Sequence, residues 1–249
     1  MKKLLVTTFI TIVSLFSFAT VSNALGLSIG VSGNQSVFAA SAKETKTTDP
    51  TTGGTGRIVE EYGAFEDAYG SIFVEVALND AVSIGVDYVP SSITTPENTN
   101  AQMDGGTLPS GKGGTLQTNK VKASFEDHTM AYLKFNLPTE VLGGGLYATL
   151  GVSQVDVITS ENLGTGGAYP NTDTTGTHLG LGYERDLDSG IFVRAELMGS
   201  QYDDVKATNA NTSNITVEVS DMIGATASIK VGKTSVSYTH LRAHETTNY

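Results

Sequence analysis

The run KVKASFEDHTMAYLKFNLP, residues 120–138, alternates almost without a break. Val121, Ala123, Phe125, Ala131, Leu133, Phe135 and Leu137 take odd positions, and Lys120, Lys122, Glu126, His128, Tyr132 and Lys134 take even ones. A side-chain period of two belongs to a β-strand with two unlike faces. The run is several times the usual strand length of about five to six residues. A strand this long, polar on one side and apolar on the other, needs two different surroundings along its whole length.

The same alternation recurs at 25–43, 62–78, 81–90, 145–159, 175–186, 191–202 and 215–233, which makes eight strands with 120–138. The phase slips near Gln154, which suggests a β-bulge there. Connections alternate in length. Those at 79–80, 138–144 and 187–190 are short, whereas 44–61, 91–117, 160–174 and 203–214 are long and rich in Thr, Gly and Asn. Short-long alternation between antiparallel strands describes an all-β, eight-stranded up-and-down transmembrane barrel, with turns at one rim and loops at the other.

The two faces assign inside and outside. Val74, Val86, Leu133, Leu150, Leu181, Leu197 and Ile229 share the apolar face. Glu75, Asp87, Lys122, Glu126, His128 and Lys134 stand on the opposite one, as do Glu184, Arg194, Glu196, Glu218 and Lys230. An eight-stranded barrel is filled by its own side chains. Charges of both signs can pair in such a bore, and their apolar neighbours then face outward, which lipid favours and water does not. These eleven residues are therefore the expected interior charge network. Phe125 and Phe135 lie ten residues apart, a height difference of ~25 Å on a tilted strand and about that of an apolar membrane band. They are expected in aromatic girdles, Phe125 with Tyr88 at the loop side and Phe135 with Tyr183 at the turn side, leaving Asp127 at the edge of the lipid face.

The N-terminus, MKKLLVTTFITIVSLFSFATVSNALG, reads as a cleaved secretory signal: Lys2 and Lys3, an apolar core, and the small residues Ser22 and Ala24 before a cut after residue 24. Its apolar run falls short of the ~20 residues of a membrane-spanning helix. The organisation expected is thus 1–24 signal peptide, 25–233 barrel and 234–249 a non-native tail.

The phrases GSIFVEVAL, HLGLGYERDL, GIFVRAEL and IGATASIKVGK are similar to strands of the small bacterial outer-membrane β-barrels, the opacity-protein, outer-membrane-protein-A-like and porin-family barrel domains. The resemblance covers about 25–233. It implies an integral outer-membrane protein of Gram-negative type, surrounded by lipid and lipopolysaccharide and inserted by the outer-membrane assembly machinery. Members of that family end on an aromatic residue that closes the last strand. Here SVSYTHLRAHETTNY continues beyond Thr234 and resembles translated sequencing-adapter read-through, so His240, Arg242 and His244 are assigned no role.

Chemistry is sparse. The formal net charge of −11 opposes nucleic-acid binding, and the absence of Cys removes disulfides and thiolate metal sites. No cofactor or metal motif is present. GTLPSGKG, 106–113, lacks the Ser or Thr of a phosphate-binding loop and reads as a Gly-rich surface loop. His128 and His178 are the two candidate bases. Among outer-membrane barrels that are enzymes, the lipid A deacylase pattern places a Ser two residues after the His, and here position 180 is Gly, so the nucleophile is missing. A non-enzymatic structural or surface-interaction role is therefore expected, with an unidentified partner met through the long loops. A porin-like channel for small solutes is the first alternative and a lipid-modifying enzyme the second. A soluble lipocalin-like carrier would require the apolar face to point inward.

Overall fold

The computed structural model describes residues 26–47, 56–103, 116–164, 167–211 and 215–236. The main strands are β1 Gly26–Lys46, β2 Arg57–Ala77, β3 Val82–Tyr88, β6 Leu116–Val141, β7 Gly144–Leu163, β8 Thr172–Asp186, β9 Ile191–Tyr202 and β11 Ile215–Val236. Each pairs antiparallel with the next, and β1 pairs with β11, which closes an eight-stranded up-and-down barrel. Within the long connections, β4 Ile93–Thr94, β5 Asn98–Met103 and β10 Val205–Thr208 extend the wall by pairing with β6 and β11. β4 and β10 are too brief to show a period in the sequence, and β5 carries a single large apolar residue, Met103.

The turns at the opposite rim are tight. Leu142 and Gly143 join β6 to β7 with φ of 52° and 75°, so the 138–144 connection shrinks to a two-residue turn. Pro138 sits inside β6 where the register slips between Asn136 and Glu140, a place where its missing N–H costs no ladder bond. Asn79 Oδ1 accepts from the amides of Ala81 and Val82 at 2.9 Å and seals the β2–β3 turn. The last strand continues past residue 233 to Val236, with Ser28 Oγ and Thr234 Oγ1 at 2.8 Å. Residues 1–24, read above as a signal peptide, residues 106–113 and residues 237–249 lie outside the described residues.

Around the lower barrel the apolar side chains point out. Leu179 is 65% exposed and Leu197 69%, with Leu150, Val152, Ile229, Val31 and Val74 also exposed. Glu75 on β2, Lys134 on β6 and Arg194 and Glu196 on β9 are buried. Lipid on the outside resolves an arrangement that water would penalise on every strand. Among the described residues no helix is long and apolar enough to cross a membrane.

This inversion stops at one height. Toward the long loops the polarity reverses and apolar residues turn inward. Phe38 stacks on Phe65 at 5.2 Å, Phe65 stacks on Phe125 at 6.1 Å, and Ile93 and Val155 are buried. The change is made in two ways. On β7 the backbone alternation is continuous and the sequence changes phase, so Val155 is buried where Val152 is exposed. On β6 and β11 the sequence keeps its phase and the backbone changes instead. Register slips between Glu126 and Thr129, at Asp127 with φ of 51°, and opposite Ala39 and Ser41, at Asp221 with φ of 52°. Asp is among the few residues other than Gly that enter the left-handed region readily. Each bulge swaps the two faces, so one unbroken alternation is outward-apolar below it and inward-apolar above it. The bulge expected at Gln154 therefore lies across the ladder, on β6.

Candidate functional site

The bore is the site the fold builds, and its lower half holds a cluster of paired charges. Arg194 on β9 reaches across to Glu75 on β2 with two hydrogen bonds, Nη1 to Oε2 and Nη2 to Oε1, each 2.9 Å. Its Nε also donates to Glu184 on β8. Lys134 on β6 donates to Glu184 at 2.8 Å and lies 3.4 Å from Glu75. Tyr132 gives Glu75 a further bond at 3.0 Å. Two carboxylates and two cations from four strands thus neutralise one another in a space with little water, where charge-assisted bonds are strong and an unmatched charge is costly.

Aromatic rings fill what the charges leave. The guanidinium of Arg194 lies 4.3 Å from the Phe192 ring centroid and 5.6 Å from those of Phe73 and Tyr147. Four inward rings of the lower bore each face a glycine on the neighbouring strand: Phe73 opposite Gly30, Tyr132 opposite Gly85, Tyr147 opposite Gly182 and Phe192 opposite Gly232. A Cβ added at any of those glycines would come within 2.2–2.4 Å of the ring. The missing side chain lets the ring lie flat across its partner, the pairing that packs glycine-bearing sheets. Sequence reasoning missed these rings because it asked only which inward positions were charged. The signal was available in the glycines at 30, 85, 182 and 232, all on the inward phase.

Above this layer, Lys230 on β11 pairs with Glu196 at 2.8 Å, and Thr149 bonds Glu196 at 3.0 Å. Asp87 is buried beside Ser71 and Lys230. Higher still, His178 uses both ring nitrogens, toward Ser153 at 2.7 Å and Ser200 at 2.8 Å, and meets His128 edge-on at 6.0 Å between centroids. His178 therefore has serine neighbours, but its second nitrogen faces Ser200 where an orienting carboxylate would stand in a nucleophilic triad.

The structure gathers Glu75, Asp87, His128, Lys134, Glu184, Arg194, Glu196 and Lys230 in the bore. It does not bring Lys122, Glu126 or Glu218 there. Glu126 is exposed and stands opposite Asp156 on the outer surface, Lys122 is on the same outward phase, and Glu218 pairs with exposed Lys206 at 4.0 Å. All three lie on the loop side of a bulge, where the face assignment inverts. The same inversion corrects Phe125, expected in a girdle and found inside against Phe65. Phe135 is 36% exposed on the outer face, Tyr183 donates to the Leu142 carbonyl at 3.2 Å by the turn rim, and Tyr88 is exposed at the boundary. Tyr88 also donates to Asp127 Oδ1 at 3.3 Å, which gives this carboxylate a partner near the edge of the apolar surface.

Comparison with solved structures gives the same architecture. The outer membrane protein OprG from Pseudomonas aeruginosa superposes with a TM-score of 0.57 at 12% identity, over 86% of this chain and 98% of that one. The fold is that of a small outer-membrane β-barrel. Neisserial surface protein A and Ail of Yersinia pestis also match, with TM-scores of 0.37 and 0.33 at 14% and 11% identity. They cover 81% and 82% of this chain and 96% and 99% of their own. No protein-family model and no curated protein sequence matches this barrel.

Proposed function

We propose that the protein is an integral outer-membrane barrel with a closed bore, whose role is structural and surface-interacting. The observation that carries this reading is the Glu75–Arg194 pair. It spans the bore between non-adjacent strands, is joined by Glu184 and Lys134, and is packed by Phe73, Phe192 and Tyr147. A water-filled channel belongs to barrels of about sixteen strands, whereas eight leave an interior the width of its own side chains. The parts free to meet other molecules are the long connections, stiffened by β4, β5 and β10 and bearing exposed acids such as Glu97, Asp203 and Asp204. Lipid contacts the outer band, lipopolysaccharide surrounds its upper edge, and the assembly machinery inserts the barrel after export.

Planar-bilayer recording of the purified barrel tests the reading. Wild type gives no steady conductance, and Arg194→Ala with Glu75→Ala produces openings. A steady wild-type channel would instead establish the porin-like alternative. Mass spectrometry of lipid A from cells with and without the barrel tests the enzymatic one, which requires a mass change that His178→Ala abolishes.

A further inference from the structure

Between the Lys230–Glu196 pair and the long loops the bore holds a cavity of about 30 Å³. Its wall includes His128 and Met130 of β6, His178 of β8, Met198 of β9, and Asp87 and Lys230. Three features distinguish it from an ordinary packing gap.

His128 is the first. Both its ring nitrogens are buried and neither has a hydrogen-bond partner among the described residues. A buried imidazole forfeits its bonds to water and is retained only at a cost unless something else meets it. His178 does not, because its own nitrogens are held by Ser153 and Ser200.

The second is sulfur. Met130 and Met198 come from strands on different sides of the bore and line the same cavity. The Met130 sulfur lies over Gly151, the residue directly opposite His178 in the ladder, at 3.0 Å from where a Cβ would stand. Thioethers are weak hydrogen-bond acceptors and offer little to a buried water, but they are good ligands for soft metal ions.

The third is charge. The lower cluster pairs two carboxylates with two cations, whereas Lys230 is shared between Glu196, at 2.8 Å, and Asp87 of the cavity wall. One ammonium shared between two carboxylates leaves the Asp87 side of the cavity open to a further positive charge.

We infer that His128, Met130 and Met198 form a binding site for a soft monovalent metal ion, of the copper(I) class. One imidazole nitrogen and two thioether sulfurs make a three-donor soft set. Calcium and magnesium prefer oxygen shells, and structural zinc prefers four donors that include thiolate or several imidazoles. The cavity has room for one ion or one water, not for an organic solute. The inference depends on the bore geometry and stands apart from the surface role proposed above.

Silver(I), a redox-inert stand-in for copper(I), tests it. The detergent-folded barrel is equilibrated with limiting silver, desalted, and its metal content measured beside His128→Ala and Met130→Leu/Met198→Leu. Wild type retains about one more ion per barrel than either variant. X-ray absorption of the copper(I)-loaded protein then shows sulfur and nitrogen scatterers, with the sulfur lost in the double Leu variant. Leu conserves the Met volume closely, so that variant decides the question even where His128→Ala fails to fold. Equal silver content in wild type and the double Leu variant would overturn the inference and leave the cavity a water site.

Discussion

Glu75 and Arg194 meet in two parallel 2.9 Å hydrogen bonds across the bore, although they stand 119 positions apart in the chain. Each is buried, so neither can exchange its partner for water. Breaking such a pair from one side leaves an uncompensated charge, which costs about 3–5 kcal/mol. Glu75→Gln or Arg194→Met alone is expected to lower the unfolding free energy of the detergent-folded barrel, read from urea titration, by an amount of that order. The double variant Glu75→Gln/Arg194→Met should recover part of the loss. Additive losses in the double variant would mean that the two charges are not coupled.

The glycine opposite Tyr147 offers an independent test of bore packing. A Cβ at Gly182 would stand 2.2 Å from the Tyr147 ring, whereas one at Gly180 would come no closer than 3.4 Å to any neighbour. Gly182→Val should therefore destabilise by about 1–3 kcal/mol through overpacking, and Tyr147→Ala in the same chain should relieve it. Gly180→Ala should fold with an unfolding transition close to wild type. Equal behaviour at the two positions would contradict the flat-ring packing.

Leu179→Arg distinguishes lipid from water at the outer face. In lipid at mid-depth, Arg costs ~2–4 kcal/mol, and an exposed surface Leu in water would tolerate it. Reversible folding into vesicles should show this penalty at Leu179, with a much smaller one at Glu66 on the loop side, which is exposed beyond the apolar band. Equal cost at both positions would refute the membrane placement of the band.

The bulge at Asp127 gives Phe125 and Phe135 opposite orientations despite their shared sequence phase. The chain contains no Trp, so Phe125→Trp and Phe135→Trp are single reporters. Vesicles of brominated lipid should quench the second strongly and the first weakly. Strong quenching of both would return Phe125 to the girdle that unbroken alternation implies.

Much of this barrel could be read from the chain. Strand number, the order of short and long connections and the outward direction of Leu133, Leu150, Leu197 and Ile229 follow from period and polarity, because the pleat fixes which residues share a face. So do the inward positions of Glu75, Lys134, Arg194 and Glu196. Two things did not follow. The partners within the bore were undetermined, since charges of both signs at inward positions permit many pairings and strand register alone puts Arg194 within reach of Glu75. The faces of Lys122, Phe125, Glu126 and Glu218 were misassigned for a different reason. Above the membrane boundary the apolar residues must turn inward, and a chain can achieve this by shifting its sequence phase, as at Gln154, or by inserting one left-handed residue, as at Asp127 and Asp221. The first leaves a trace in the alternation. The second cancels it, because a bulge is a mismatch between two strands, and one strand read by itself contains no mismatch.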